Sequence, residues 1–273
     1  MTKHLEANFK HQNPDRVGVL LVNLGTPENP TPSAVRKYLA EFLWDSRVID
    51  YPRPLWWLIL NGIILRIRPR KVAQAYASIW TDAGSPLLVN TKVQGERVAG
   101  RLDLKYGDQV TVEIAMRYGN PNIEQALLRL RERGARRLLV LPLYPQYSGS
   151  TTATVFDAVA LALKKFNWLP ELRFINQYHD HPSYITALAS SIREYWNTNG
   201  VGQHLLFSFH GLPKRYLTEG DPYHCQCHKT ARLVAKELNL TDVDWSVGFQ
   251  SRVGREEWLR PYTDEVLLDF AAD

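Results

Sequence analysis

The stretch His204–Pro213, HLLFSFHGLP, decides the fold. Four apolar residues surround Ser208 in a run of strand length, which is typical of a strand covered on both faces in a parallel sheet. Gly211 and Pro213 follow His210 at once and end the strand. Ligands of open α/β sheets bind beyond the carboxyl ends of the strands, so His210 stands where an imidazole can transfer a proton or bind a metal. A histidine that only caps a loop is the alternative.

The rest of the chain repeats this alternation of strand and helix patterns. The run VGVLLVNL at 17–24 predicts a buried first strand that ends in a turn at Gly25, and Thr31 followed by Pro32 is typical of the start of a helix. Further strands are predicted at 110–116, 137–144, 172–177, 205–209 and 245–249, with helical patterns between them. We therefore expect an α/β fold of two doubly wound, Rossmann-like halves that face each other across a cleft.

The segment 167–170 (NWLP) predicts the boundary between an N-terminal domain, residues 1–166, and a C-terminal domain, residues 167–273. The last predicted helix begins near Thr263 and runs to about Ala272. A doubly wound half would normally continue with another strand. We therefore expect the second half to be incomplete, without its last strand and helix.

Composition excludes several classes of protein. A chain of 273 residues with 45% hydrophobic residues and 8 tryptophans forms a true core rather than a disordered segment. The net charge, 33 − 28 = +5, suits an acidic small molecule or an anionic membrane surface. We expect no nucleic-acid partner, because the basic residues are spread along the chain without a recognition motif. Oligomeric state is left open.

The two cysteines, Cys225 and Cys227, cannot form a disulfide framework, which favours a cytoplasmic protein. The segment Met1–Asp15 is polar and lacks the apolar core of a signal peptide. Residues 54–68 contain the most apolar window, Leu55–Ile67, which is shorter than the about 20 residues that span a bilayer. An ordinary core helix and an apolar lip that touches the inner membrane peripherally, or lines a cavity, are both open interpretations.

Most catalytic motifs are absent. No GxGxxG, P-loop, GxSxG or HExxH pattern occurs, so nucleotide binding and these hydrolytic mechanisms have no support. The segment His224–His228, HCQCH, places four soft metal ligands in five residues, too close together to surround one tetrahedral ion without strain. A loop that leads into a helix is the favoured interpretation. Polar and aromatic residues expected at strand ends instead suit a large, flat, apolar, anionic ligand.

Several motifs resemble the ferrochelatase family. They occur in order from about Val17 to Asp273, and it is their number that makes the resemblance specific. The motifs are GVLLVNLGTP at 18–27, Tyr76 with Gly84-Ser85-Pro86, MRYGNP at 116–121, LYPQYSGST at 143–151, SFHGLP at 208–213, GDPY at 220–223, and FQSRVG with WLRPYTDE between 249 and 265.

The resemblance implies a chelatase-type fold and a lyase that inserts Fe²⁺ into protoporphyrin IX, the last step of protoheme synthesis, with release of two protons. Protoporphyrin IX and Fe²⁺ are then substrates, and no tightly bound cofactor is expected. A porphyrin is a wide apolar disc, and its burial in an aromatic cleft is favourable by about 25 cal/mol per Å². A chelatase for another tetrapyrrole, such as one that inserts cobalt into sirohydrochlorin, would need a more basic and less aromatic cleft.

The resemblance also implies roles for individual residues. His210 matches the essential histidine of the family, as the base that accepts a pyrrole proton or as the ligand of Fe²⁺. Arg68, Tyr76 and Ser85 are expected to contact the propionates. The cavity is expected to be lined by Asn23, Leu24, Arg117, Tyr144, Tyr223 and Trp258.

The sequence departs from the family in two places. Gly149 stands where some members have a cysteine that binds an iron–sulfur cluster, so no cluster is expected. Family members also continue beyond the position of Asp273 with a strand, an acidic segment whose glutamate faces the histidine, and a final helix. We therefore expect a chain truncated at the C-terminus, for which a non-catalytic porphyrin- or heme-binding protein is the alternative function.

Overall fold

A computed structural model describes residues 15–254 and 256–272. The polar segment Met1–Asp15 lies outside the described residues except for its last position. The chain forms two compact units. The first comprises residues 1–144 and 149–176, and the second comprises residues 145–148 and 177–273.

The first unit is built on a parallel sheet of four strands in the order β2-β1-β3-β4. The strands are β1 (Arg16–Gly25), β2 (Val110–Tyr118), β3 (Ala135–Pro142) and β4 (Glu171–Phe174). The helices are α1 (Pro32–Trp44), α2 (Arg53–Ile59), α3 (Leu65–Ile79), α4 (Pro86–Tyr106), α5 (Ile123–Glu132) and α6 (Thr152–Leu163). A π-helical turn at Leu60–Ile64 joins α2 to α3.

Helices cover both faces of this sheet, as the predicted doubly wound pattern requires. Leu20 and Val22 of β1 pack with α5 and α6 in the main core. On the other face α4 approaches closely, because a Cβ at Gly95 would lie only 2.5 Å from a side-chain methyl of Ile114. A second core joins α1, the π-helical turn and α3 to Tyr118, the last residue of β2.

The position of β4 corrects one prediction. We expected the strand near Leu172 to open the second half, but it pairs in parallel with β3 from Arg137 to Val140. Leu172 and Phe174 pack against the core of the first unit. The compact units therefore divide after Asn176 rather than at the predicted 166/167 boundary.

The second unit contains a parallel pair of strands, β5 (Leu205–His210) and β6 (Trp245–Gln250). Its helices are α7 (Pro182–Asn199), α8 (Lys214–Thr218), α9 (Tyr223–Glu237) and α10 (Thr263–Ala272). Phe249 packs with α9, while a Cβ at the preceding Gly248 would lie 2.7 Å from Thr263 Oγ1 of α10. The two helices thus cover opposite faces of β6, and the α/β class with parallel strands is confirmed.

Helix α9 corrects a second prediction. We interpreted His224–His228 as a loop that leads into a helix, but the whole segment lies in the first turns of α9. The helix begins at Tyr223, directly after Pro222, and Asp221 Oδ1 accepts a hydrogen bond of 2.9 Å from the backbone N–H of Tyr223, one of the N–H groups that the first turn leaves without an intrahelical partner.

Candidate active site

The first unit collects four of the predicted residues at the carboxyl ends of three adjacent strands. In the sheet register Asn23 is opposite Met116, Gly25 is opposite Tyr118, and Val22 is opposite Pro142. Because parallel strands end at the same edge of a sheet, this register brings together the polar and aromatic ends of β1, β2 and β3. The residues concerned are Asn23, Leu24, Arg117 and Tyr144, with Tyr118 beside them.

The turn after β1 has a fixed geometry. Asn23 Nδ2 donates to Thr91 Oγ1 at 3.0 Å, and Asn23 Oδ1 accepts from the backbone N–H of Leu24 at 2.8 Å. Gly25 has φ +116°, and a Cβ there would lie 1.8 Å from the carbonyl oxygen of Tyr118. Only glycine fits this close approach of two strands. The two hydrogen bonds of the Asn23 side chain tie β1 to α4 and orient Leu24.

Arg117 is held by an acid that the sequence did not reveal. Arg117 Nη2 lies 2.5 Å from Asp45 Oδ2, and the Tyr118 hydroxyl donates to the same oxygen at 2.9 Å. The side chains of Arg117 and Asp45 are only 17% and 9% exposed. The guanidinium also stacks on the Tyr118 ring, 4.4 Å from its centroid. Asp45 lies 72 residues before Arg117, so no local pattern could have predicted this pair.

Two buried polar atoms beside this ion pair have no partner among the described residues. They are Arg117 Nε and the hydroxyl of Tyr144. Burial raises the pKa of Tyr144, and the nearby Tyr118 raises it further, whereas the charge of Arg117 lowers it less. Tyr144 therefore keeps its proton at neutral pH. Buried donors normally have an acceptor, so this corner of the first unit suits an oxygen atom of a ligand or a water molecule.

The predicted propionate contacts lie in different environments. Arg68 is an exposed residue of α3, and Tyr76, half-buried on the same helix, packs edge to face on Tyr38 at 6.4 Å between ring centroids. Burial raises the pKa of Tyr76. Ser85, just before α4, is only 4% exposed. Contact of these residues with a propionate stays a prediction, and the buried Ser85 could make one only with a group that enters the protein.

His210 is the last residue of β5, as the sequence predicted. Its side chain is exposed, and its ring makes no hydrogen bond or ion pair with another described residue. The protein atoms that crowd it nevertheless lower its pKa by desolvation. The imidazole is therefore neutral at pH 7 and has a lone pair available for a proton or a metal ion.

Trp258 lies beside the His210 segment because two loops pair beyond β5 and β6. The backbone N–H of Leu259 donates to the carbonyl of Leu212 at 2.9 Å. The N–H of Gly211 donates to the carbonyl of Gln250 at 2.7 Å. A Cβ at Gly211 would lie 2.8 Å from that carbonyl oxygen and 3.2 Å from Trp258 Cε3. The glycine after His210 thus allows the indole to pack against the chain at this point.

Tyr223 is fixed at the start of α9. Asp221 accepts a hydrogen bond from its backbone N–H and another, at 2.9 Å, from the hydroxyl of Ser148. Burial raises the pKa of Tyr223, with a further contribution from the neighbouring Cys227. Tyr223 packs against the core around Phe249. Its predicted role in binding porphyrin stays a prediction.

The part of the chain that the structure describes contains no group of three or more His, Cys, Asp or Glu side chains placed to hold one metal ion. None of its helices has both the length and the apolar character required to cross a membrane. Gly149 begins the segment that returns to the first unit, and the absence of an iron–sulfur cluster stays a prediction.

Comparison with known proteins identifies the family. A sequence model described as Ferrochelatase matches residues 16–273. A ferrochelatase of Thioalkalivibrio sulfidiphilus is 58% identical over 259 residues, 95% of this chain and 70% of the relative. Ferrochelatases of Marinobacter nauticus and Nitrosococcus oceani are 56% and 57% identical, covering 95% and 97% of this chain and 70% and 72% of their own lengths.

Among solved structures, one similar chain is CbiX, described as the terminal enzyme for biosynthesis of siroheme in denitrifying bacteria. It is 17% identical, with a TM-score of 0.39, and the match covers 86% of this chain and 70% of that one. The family match spans all the strand-end residues described above, from Asn23 to Trp258. The chain belongs to the ferrochelatase family.

Proposed function

We propose that this protein inserts Fe²⁺ into protoporphyrin IX to form protoheme, with release of two protons. The observation that carries the proposal is His210, an exposed imidazole at the carboxyl end of β5 that has no partner among the described residues, in a chain of the ferrochelatase family. In the reaction two pyrrole N–H bonds break and the electron pairs that remain on nitrogen bind the metal. No atom changes its oxidation state.

His210 can contribute in two ways. Its lowered pKa keeps the imidazole neutral, so it can accept a pyrrole proton and, being exposed, pass that proton to water. The same lone pair can instead bind Fe²⁺ before insertion. Both roles need the neutral ring. Trp258 provides an apolar surface beside Gly211, the residue that follows His210.

The first unit offers hydrogen-bond donors rather than a base. Arg117 Nε and the Tyr144 hydroxyl are buried and unpartnered among the described residues, and Asp45 holds the guanidinium in place. Donors of this kind suit the oxygen atoms of a ligand. Arg68 and Tyr76, together with Ser85, remain the residues that we propose for the two propionates.

Anaerobic insertion of Fe²⁺ into protoporphyrin IX by the purified protein tests this function. We expect turnover, loss of turnover in His210→Ala, and porphyrin binding that is largely retained in that variant. His204→Ala is the matched control, because His204 precedes β5 at its other end and bonds to Ser246 Oγ at 3.0 Å. Turnover by His210→Ala would remove this residue from the mechanism.

Two other outcomes would favour the alternative functions. Tight porphyrin binding with quenched fluorescence and no turnover by the unmodified protein would indicate a non-catalytic porphyrin- or heme-binding protein. Insertion of Co²⁺ into sirohydrochlorin, with no reaction on protoporphyrin, would indicate a chelatase for another tetrapyrrole.

We also propose that the apolar window Leu55–Ile67 touches a membrane surface. Its residues divide between two environments. Trp56, Leu60 and Leu65 are buried in the core. Other large side chains of the same window are 49–69% exposed, and these are Leu55, Trp57, Leu58, Ile63 and Ile67. The buried face fits the core-helix interpretation, and the exposed face supports the proposed apolar lip.

Sedimentation with anionic phospholipid vesicles tests the membrane contact. We expect Trp57→Ser combined with Leu58→Ser to lower the bound fraction several-fold. Leu104→Ser is the matched control, because Leu104 is 90% exposed on α4, outside the apolar window. Equal binding by the double variant and the parent would contradict the proposal. Localisation in the cytoplasm stays a prediction.

A further inference from the structure

The first turns of α9 carry two histidines whose contacts the proposed reaction does not use. His224 and His228 are four residues apart on the helix and therefore share one face. Their ring centroids are 4.5 Å apart, and the ring planes are inclined at 58°. Neither ring forms an ion pair with a carboxylate among the described residues.

Phe249 forms an apolar wall behind both rings. The His224 ring stacks on it with 5.3 Å between centroids and 21° between planes, and the His228 ring lies 5.9 Å away. Phe249 is only 2% exposed, whereas both histidines are partly accessible. Burial lowers the pKa of His228, and the neighbouring His224 and Arg232 lower it further. Two imidazoles are thus fixed side by side at the boundary between core and solvent.

The cysteines of the same segment have different environments. Cys227 is fully buried, and burial raises its pKa to about 12, so it remains a protonated thiol. Cys225 is exposed. Cys225 is about 100° around the helix from His224 and three positions from His228, whereas the observed ring contact joins the two histidines. The two imidazoles are therefore the pair of ligands that the helix presents together.

We propose that His224 and His228 form a two-histidine site for a divalent first-row transition-metal ion, with water in the remaining positions. With metal–nitrogen bonds of about 2.1 Å, two imidazoles at adjacent corners of an octahedral ion have ring centroids roughly 4.5 Å apart. The observed separation matches this arrangement. Imidazole nitrogen prefers ions such as Zn²⁺, Ni²⁺ and Cu²⁺ over Mg²⁺ and Ca²⁺.

This site is distinct from His210. Phe249 and Gln250 are consecutive residues of β6, so their side chains point to opposite faces of the strand pair. His210 is opposite Gln250 in the register and shares its face. The histidine pair lies on the face of Phe249, so one ion cannot contact both His210 and the pair.

Calorimetric titration with Zn²⁺ tests the site in a His210→Ala background, which removes the family's own metal ligand. The His210→Ala protein, which is the parent of this series, should bind one Zn²⁺. The same protein with His224→Ala and His228→Ala added, the double variant, should not bind that ion. Each single variant should weaken that binding at least about tenfold, because one ligand of a bidentate pair is lost. Cys225→Ser and His181→Ala, each in the same background, should bind as the parent does.

Zn²⁺-induced shifts of the ring ¹⁵N resonances of His224 and His228 in the His210→Ala protein give a second readout, which does not depend on whether the double variant folds. Unshifted resonances, or Zn²⁺ binding that survives in the double variant, would overturn the proposal. A loss in Cys225→Ser as large as in the single histidine variants would also overturn it, because the thiol would then be a ligand. None of these readouts depends on turnover, so failure of the proposed function would leave them unchanged.

Discussion

The carboxylate of Asp45 can be neutralised with little change of shape by Asp45→Asn. Its Oδ2 contacts both Arg117 Nη2, at 2.5 Å, and the Tyr118 hydroxyl, at 2.9 Å, and its Oδ1 accepts from the backbone N–H of Arg47 at 2.9 Å. Removing one partner of a buried ion pair costs about 3–5 kcal/mol. An asparagine oxygen can still accept one of these hydrogen bonds, so we expect a loss of about 2–3 kcal/mol in the free energy of unfolding of the first unit.

Thermal unfolding by calorimetry measures this loss, which corresponds to roughly 4–10 °C for a unit of this size. The matched control is Asp157→Asn, because Asp157 pairs with Arg47 at the same 2.5 Å but with side chains 49% and 42% exposed. An exposed pair contributes at most about 1 kcal/mol, so the control should shift the transition little.

A double-mutant cycle with Arg117→Met isolates the pair from the rest of the site. We expect a coupling energy of at least about 1 kcal/mol between Asp45→Asn and Arg117→Met, because the two side chains are in direct contact. Porphyrin affinity should fall in both single variants, because Asp45→Asn no longer fixes Arg117 beside Tyr144 and Arg117→Met removes the guanidinium. Additive effects on stability, or porphyrin affinity unchanged in Asp45→Asn, would refute the role that we assign to Asp45.

Three further predictions concern other parts of the site. Arg68→Ala should weaken binding of dicarboxylate porphyrins far more than binding of their dimethyl esters in fluorescence titrations; equal losses would argue against a propionate contact. Gly211→Ala should lower the free energy of unfolding of the second unit by about 1–3 kcal/mol, because the new Cβ would lie 2.8 Å from the carbonyl oxygen of Gln250. Gly100→Ala is the control and should cause no such loss, because no atom lies within 4 Å of a Cβ at that position. The free energy of unfolding should level off roughly one pH unit above the ordinary histidine pKa of about 6.5 and fall as the pH drops through that value, because the pKa of three histidines is lowered by desolvation in the folded protein and the unfolded chain then binds more protons. These histidines are His179, His210 and His228. Chemical denaturation between pH 5 and pH 8 measures this dependence, and a stability that rises towards low pH would contradict it.

Local patterns were sufficient for β5 and for the end of β1. An apolar run closed by Gly211 and Pro213 predicted where β5 ends, and the structure ends that strand at His210. Gly25 likewise predicted the end of β1. The structure shows why glycine is required there, because the backbone carbonyl of Tyr118 in β2 occupies the space that a side chain would take. In both cases the turn residues that end the strand follow its apolar run closely in the sequence.

The errors arise where distant residues decide. The pattern around Leu172 predicts a strand but not its neighbour, and pairing with β3 placed it in the first sheet. Helix α9 is an exception, because it starts earlier than the pattern indicated and the only contact we assign to its start is local, the hydrogen bond from the backbone N–H of Tyr223 to Asp221. Asp45 was missed because its partner, Arg117, lies 72 residues away. Sequence patterns thus identified strand ends better than the contacts that fix the side chains there.

The two units present opposite chemistry at their strand ends. In the first unit Asp45 uses one side of the Arg117 guanidinium and leaves Nε as a donor beside the Tyr144 hydroxyl. In the second unit desolvation by nearby protein atoms lowers the pKa of His210, so its neutral ring offers a lone pair. Donors bind the oxygen atoms of an anionic ligand, and a lone pair removes protons or binds a cation. The loss of two protons and the uptake of Fe²⁺ during insertion call for the second kind of group. Neutralising Asp45 should therefore impair porphyrin binding, whereas replacing His210 should impair insertion and leave binding largely intact.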